Sequence, residues 1–316
     1  MIKVNQVSRA YGDALAVNGV SFSIPGGQIV GLLGHNGAGK TTIMKMLSGY
    51  LEPSAGSIII DDIDLEQNPR QVQQVLGYLP ENLPVYPDMC VADYLDYAAT
   101  LKGLRGTAAT ESLQRAIRDT ELQARLSDRI STLSRGYKQR VGVAQAILGS
   151  PKVLILDEPT NGLDPAQTQH MRDLIKGLAA TATIILSTHI MQEVDAICDR
   201  ALILNQGQLA LDESLQDLRN SGHLRLRTDL DSTRVQTLCR NLPGLLEITQ
   251  TDLSATARWD YRIGLADHAD AENQVALVAA AVLAEGGRLF HIAAEVRDLE
   301  TVFRSVNQSG GVANAA

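Results

Sequence analysis

The 316-residue chain is poor in cysteine and aromatics, has no long hydrophobic run, and carries less positive than negative charge. Its three cysteines, Cys90, Cys198 and Cys239, lie far apart without metal-ligand spacing. That pattern excludes a thiolate metal site or disulfide framework and leaves reduced, structural thiols of a cytosolic protein. No segment reaches the ~20 apolar residues that span a bilayer. The longest attempts, 275–284 and 183–186, fall far short, so a membrane channel would have to come from another chain. Lys and Arg total 28 against 36 Asp and Glu, a formal net charge of −8. This balance argues against broad electrostatic binding of nucleic acid. Internal repeats and coiled-coil heptads are also missing. Residues 1–7 alternate like a strand and lack signal-peptide architecture.

What the chain does have is a 45% hydrophobic composition, enough for two unequal domains with real cores. Up to about residue 220, strand and helix signals alternate, which predicts an α/β domain on a largely parallel sheet. Within it, residues of about 85–150 switch to helical periodicity and read as an inserted helical subdomain, with a break at Leu104–Thr107. Ser221-Gly222 marks the expected domain boundary. Residues 222–306 then read strand–helix–strand–strand–helix–strand plus a final helix, a small ferredoxin-like α+β module. That module shows no obvious polar cluster, which favours a packing or dimerising role over small-molecule sensing. Residues 307–316 are small and polar and are expected to form a disordered tail.

The stretch Gly34-His35-Asn36-Gly37-Ala38-Gly39-Lys40-Thr41-Thr42 follows an apolar strand, Ile29–Leu33, and opens a helix. It fits G-x-x-x-x-G-K-[ST], in which glycines let backbone N–H groups curl around phosphate oxygens. Lys40 would bridge the β- and γ-phosphates, and the Thr41 hydroxyl would ligate Mg²⁺. A second apolar strand, Val153–Leu156, ends in Asp157-Glu158 and is expected beside the first. Asp157 suits Mg²⁺ held through water, and Glu158 suits the general base that polarises the attacking water. A plainer reading makes both acids caps for the following helix. His189 stands just past the buried strand Thr183–Ser187, at the edge where α/β sheets place ligands.

Leu133-Ser134-Arg135-Gly136-Tyr137 opens another helix, offering hydroxyl and N–H donors at a positive helix end. The chain's own phosphate loop needs no such second anion site. Each nucleotide is therefore expected to be gripped by two copies of the protein.

At these motifs the chain resembles the ATP-binding subunits of ABC transporters, a P-loop NTPase fold. The resemblance implies binding of ATP with Mg²⁺ and ATP hydrolysis in a head-to-tail homodimer. A separate integral-membrane permease subunit is implied as partner, with the ATPase on the inner face of the cell membrane. It makes His189 a γ-phosphate sensor and Tyr11 an adenine-stacking aromatic. It places Asp164, in Asn161-Gly162-Leu163-Asp164, on a loop that reaches across the dimer; Asp164 equally suits the cap of the helix from Pro165. Ser134 and Gly136 keep the donors that face the partner's nucleotide, while Arg135 and Tyr137 depart from the usual Leu-Ser-Gly-Gly-Gln. Glu81 stands at the usual glutamine switch, able to approach Mg²⁺ but unable to donate a hydrogen bond. These departures, and the proline-rich loop Leu83–Met89, resemble the exporter branch of drug-resistance, polysaccharide and gliding-motility transporters. That loop is expected to stay extended and exposed to receive a short helix of the membrane subunit. The alternative is a soluble ABC ATPase acting on ribosomes or nucleic acid. Such proteins usually carry two cassettes or a long coiled coil, and neither is visible here.

Overall fold

The computed structural model describes residues 1–83, 85–253, 258–266, 270–297 and 299–309. It divides into two compact units, the first Met1–Leu215 plus the residues from Phe303, the second Gln216–Val302. The first unit begins β1 (Ile2–Tyr11), β2 (Ala14–Ile24), β3 (Ile29–Leu33), α1 (Lys40–Leu47), β4 (Ala55–Ile60), β5 (Ile63–Asp64), α2 (Pro69–Val75) and β6 (Leu76–Leu79). It continues α3 (Val91–Leu101), α4 (Gly106–Asp119), α5 (Arg135–Ile147), β7 (Val153–Asp157), α6 (Pro165–Ala179), β8 (Thr183–Ser187), α7 (Met191–Ile197), β9 (Arg200–Asn205) and β10 (Gln208–Ser214).

Six strands form the central sheet in the order β10-β9-β3-β8-β7-β6, parallel except for the edge strand β10. Its strands are apolar almost throughout because both faces are covered. Val30, Leu32, Val153, Ile155 and Ile185 enter one core with α1 and the N-terminal strands. The alternate residues Ile29, Leu154, Leu156, Ile184 and Leu186 enter a second core with the helical subdomain. Burying each such side chain contributes roughly 1.5–3 kcal/mol.

Two expectations are corrected here. The strand ending in Asp157 does not neighbour β3; β8 lies between them and pairs with both. The break between the first two subdomain helices is also shorter than expected, since α4 already starts at Gly106. A second, antiparallel sheet, β2-β1-β4-β5, packs on the α1 side; of its pairing the sequence pattern shows no more than the separate strands.

The second unit follows α8 (Leu215–Arg219) as β11 (Asn220–Thr228), α9 (Ser232–Arg240), β12 (Leu245–Leu253), β13 (Trp259–Leu265), α10 (Ala271–Ala284) and β14 (Leu289–Val296), before α11 (Leu299–Ser309). Its antiparallel sheet runs β12-β13-β11-β14, the order of a ferredoxin-like fold. Leu224, Leu226, Tyr261, Ile263, Val278 and Val282 build a core of their own. Ser221-Gly222 proves to lie inside β11 rather than in a linker, and the units part near Leu215. Residues 307–309, expected in the tail, belong to α11, while 310–316 lie outside the described residues. The alternate positions of the sheet do carry charge, contrary to the expected lack of a polar cluster. Arg227 pairs with Asp260 at 3.0 Å, and Arg262 with Glu295 at 2.6 Å.

Candidate functional site

The carboxyl ends of β3, β8 and β7 deliver three loops, Gly34–Gly39, Ser187–His189 and Asp157–Glu158, to one edge of the sheet. Ligands of open α/β sheets bind at this edge. The first loop ends at Gly39, whose φ of +103° opens α1 without a side-chain cap. A Cβ there would stand 2.7 Å from the Ala16 carbonyl oxygen of β2, so only glycine fits. An uncapped helix end of this kind offers backbone N–H groups to an anion. Lys40 is buried, and its Nζ donates to the Gly34 carbonyl at 2.6 Å and the His35 carbonyl at 3.3 Å. Burial lowers its pKa, while the facing charges of Glu158, Asp157 and Glu81 work the other way.

Ser187, a residue to which the sequence analysis assigns no role, ties the acidic loop together from the intervening strand. Its hydroxyl donates to Asp157 Oδ1 and accepts from the Glu158 N–H at 3.0 Å. Its signal in the sequence is its place two residues before His189, at the same strand end. Asp157 Oδ2 is buried and has no hydrogen-bond partner. An unpaired buried carboxylate oxygen of this kind fits a cation. Burial raises the Asp157 pKa, the Ser187 hydrogen bond opposes this, and Glu81 adds to it. Thr41, Glu81 and Asp157 line one cavity of ≈ 1030 Å³. Among the described residues no cluster of three or more His, Cys, Asp or Glu could hold a metal.

Glu158 has a left-handed backbone, φ +50°. The carboxylate is mostly covered and meets His189 Nδ1 at 3.0–3.1 Å. Burial raises the Glu158 pKa; the His189 hydrogen bond and charge, and Lys40, draw it back down. The residue before His189 is tied down on both sides. The buried Thr188 hydroxyl donates to Glu193 at 2.8 Å and accepts from the Ile190 N–H at 3.1 Å.

Tyr11 ends β1, exposed, with the Arg9 guanidinium 5.1 Å from its ring centroid. Arg9 also donates to the Glu52 carbonyl at 2.9 Å, which fixes the cation behind the ring. His35 approaches the ring of Phe303, contributed to the same unit by α11, at 5.2 Å. Neither contact is legible in the sequence.

The Ser134 turn is built differently. Ser134 caps α5, accepting from the Tyr137 N–H at 3.4 Å, and remains exposed. Gly136 is buried against Gln167 of α6, while Asp164 caps α6 by accepting from the Gln167 N–H at 2.9 Å. Among the described residues, neither Ser134 nor Gly136 hydrogen-bonds the Gly34–Thr42 loop of the same chain.

The cavity continues from Glu81 past Tyr86, Tyr94 and Tyr97. Tyr86 lies 5.7 Å from Tyr97 and 6.4 Å from Tyr94 between ring centroids. The loop expected to be wholly exposed is only partly so. Tyr86, Pro87 and Asp88 face solvent, but Leu83, Val85 and Met89 pack on the second core, and Pro84 lies outside the described residues.

The family model described as "ABC transporter" matches residues 17–161. The linearmycin resistance ATP-binding protein LnrL of Bacillus subtilis (strain 168) is 33% identical over 210 residues, 66% of this chain and 68% of the relative. The Nod factor export ATP-binding protein I of Burkholderia orbicola (strain AU 1054) is 36% identical over 208 residues, 66% of this chain and 68% of its own. A solved structure described as the ATP-binding subunit of an ABC transporter superposes with a TM-score of 0.64 at 32% identity, over 69% of this chain and 91% of that one.

Proposed function

Because the chain belongs to the ATP-binding subunits of ABC transporters, and is thus an ATPase, we propose that it works as a head-to-tail homodimer closing on two Mg-ATP molecules. One half of each site would be Gly34–Thr42, Asp157, Glu158 and His189; the other would be Ser134 and Gly136 of the second copy. The observation that carries this reading is the exposed, Ser134-capped start of α5, a helix N-terminus that among the described residues has no hydrogen bond to its own chain's phosphate loop.

The chemistry follows from the donors and acids. Phosphate oxygens would compete with the Gly34 and His35 carbonyls for the Lys40 ammonium, drawing it onto the β- and γ-phosphates. Glu158, oriented by His189, accepts the proton of the attacking water. Thr41, Asp157 and Glu81 would hold Mg²⁺, which supplies charge neutralisation of the β- and γ-phosphates. Tyr11 offers one face to adenine, its other being occupied by Arg9. Asp164 caps α6 and would also meet the facing copy.

Among the described residues no helix is long and apolar enough to cross a membrane, so a separate permease subunit is the partner we assign, with the ATPase on the inner face of the membrane. The groove of Tyr86, Tyr94 and Tyr97, continuous with Glu81, would take its short helix. The relatives named for resistance and export support outward transport. Nucleic acid is not proposed as a partner.

Glu158→Gln tests the reading directly. The variant should bind ATP, hydrolyse it about 10²–10⁴-fold more slowly, and elute as a dimer only with ATP. A variant that stays monomeric at saturating ATP, or turns over normally, overturns it.

A further inference from the structure

Arg135 is the residue by which this chain departs from glycine in its nucleotide-facing turn, and the structure gives its side chain a definite seat. A Cβ added to Gly162 would collide with the Arg135 guanidinium, nearest to Cζ, next to Nη1, and 2.7 Å from Nε. A point in the plane of a guanidinium, in the bay between two nitrogens, lies closer to those nitrogens than to the carbon. The carbon is nearest here, so the guanidinium turns its face to the position that a Gly162 Cβ would take. A side chain there would displace the guanidinium, the far end of the exposed Arg135 side chain, and the φ of +71° at Gly162 independently favours glycine.

Gly162 is part of the turn that carries the proposed base. The Asn161 N–H donates to the Glu158 carbonyl at 3.2 Å, and the Leu163 N–H to the Thr160 carbonyl at 3.1 Å. A second contact joins the start of α5 to the segment that follows this turn. A Cβ added to Gly136 would stand 2.7 Å from Cδ of the Gln167 side chain, so the glycine backbone packs directly on that amide. The start of α5 and the Glu158–Gln167 segment therefore touch at two places, one of them the face of a planar cation against Gly162.

We infer that Arg135 is a positioning residue that transmits engagement of the Ser134–Gly136 turn by one nucleotide to Glu158 in the other site of the dimer. The inference rests on the dimer reading above. Its chemistry needs a flat, delocalised cation; a lysine ammonium keeps the charge but cannot lay a planar face against Gly162. Removing the contact leaves ATP binding to Lys40 and the phosphate loop intact while loosening the geometry of the base. Misplacement of this kind lowers turnover rather than affinity.

The experiment is steady-state ATPase kinetics on the full chain for Arg135→Ala, Arg135→Lys, Gly162→Ala and the Arg135→Ala/Gly162→Ala pair. We expect kcat about tenfold lower in each single variant, with KM for ATP within about twofold of wild type. Lysine should fail to rescue, and the pair should be no worse than the lower single, because both remove one contact. A raised KM with unchanged kcat, restored by lysine, would make Arg135 a direct phosphate ligand and overturn the inference. So would losses that multiply in the pair, or wild-type kinetics in Arg135→Ala. Adding Arg135→Ala to Glu158→Gln should leave the ATP-dependent dimer in place. If Glu158→Gln alone gives no dimer, the dimer reading fails, whatever Arg135 does.

Discussion

Glu158 is pulled in two directions, and the balance sets a measurable pH dependence. Burial raises its pKa, and the hydrogen bond from His189 lowers it. A base must be ionised to act, so the acid limb of kcat/KM reports the pKa of the free enzyme's carboxyl. Taking away the histidine removes the largest lowering contribution and leaves only Lys40 to oppose desolvation, so the folded carboxyl ionises at higher pH. His189→Ala should therefore show a lower plateau and an acid limb displaced upward. A pH profile whose limb stays in place or moves down would mean that the two side chains are neighbours without influence. Asp157, by contrast, keeps one oxygen on Ser187 and one without a hydrogen-bond partner, a division of labour suited to cation binding rather than proton transfer.

Where α3 meets β6, a single ammonium bridges the elements. Lys102 caps the end of α3 and its Nζ donates to the Leu76 carbonyl at 3.2 Å. Burial lowers its pKa to about 8. A lysine depressed on folding costs stability while it is charged in both states; that cost is relieved as pH rises from about 8 towards its unfolded value near 10.5. One pKa unit corresponds to about 1.4 kcal/mol, so the relief is on the order of 3–4 kcal/mol. Denaturant unfolding of wild type should gain this increment between those pH values, and Lys102→Met should lack it. Equal pH slopes in the two proteins would refute the account. At this scale the sequence is legible wherever a signal is local. The apolar runs 153–156 and 183–187, the helix from Arg135 and the strand–loop–helix at Lys40 carry their own periodicity and caps. Strand order is set by pairing between distant segments, which is why β8 between β3 and β7 leaves no local mark, nor does Ser187 as the link between the acids. Arg135 is visible as a departure, but its seat on Gly162 depends on a turn 27 positions away by residue number. The strand through Ser221-Gly222 is hidden for the opposite reason: a glycine with φ +67° looks like a boundary but is tolerated within β11.

The whole molecule joins two cores of different construction. The first unit has a parallel sheet buried on both faces and carries every residue assigned to the nucleotide. The second has an antiparallel sheet with α9 and α10, around Tyr261 and Val278, and supplies none of them. A ligand that binds only folded protein stabilises it by RT ln(1 + [L]/Kd), about 2.7 kcal/mol at a hundredfold excess over Kd. For a unit of roughly 200 residues this corresponds to about 5–10 °C in Tm. Calorimetry of the full chain should then resolve two transitions, of which Mg-ATP raises one. Leu226→Ala, a cavity in the second core costing about 2–5 kcal/mol, should lower the other and leave the nucleotide-dependent transition within a degree or two. Using the Glu158→Gln chain keeps ATP intact during the scan. If nucleotide and cavity instead move a single common transition, the two cores unfold as one cooperative body, and changes in the second unit act directly on the stability of the ATPase.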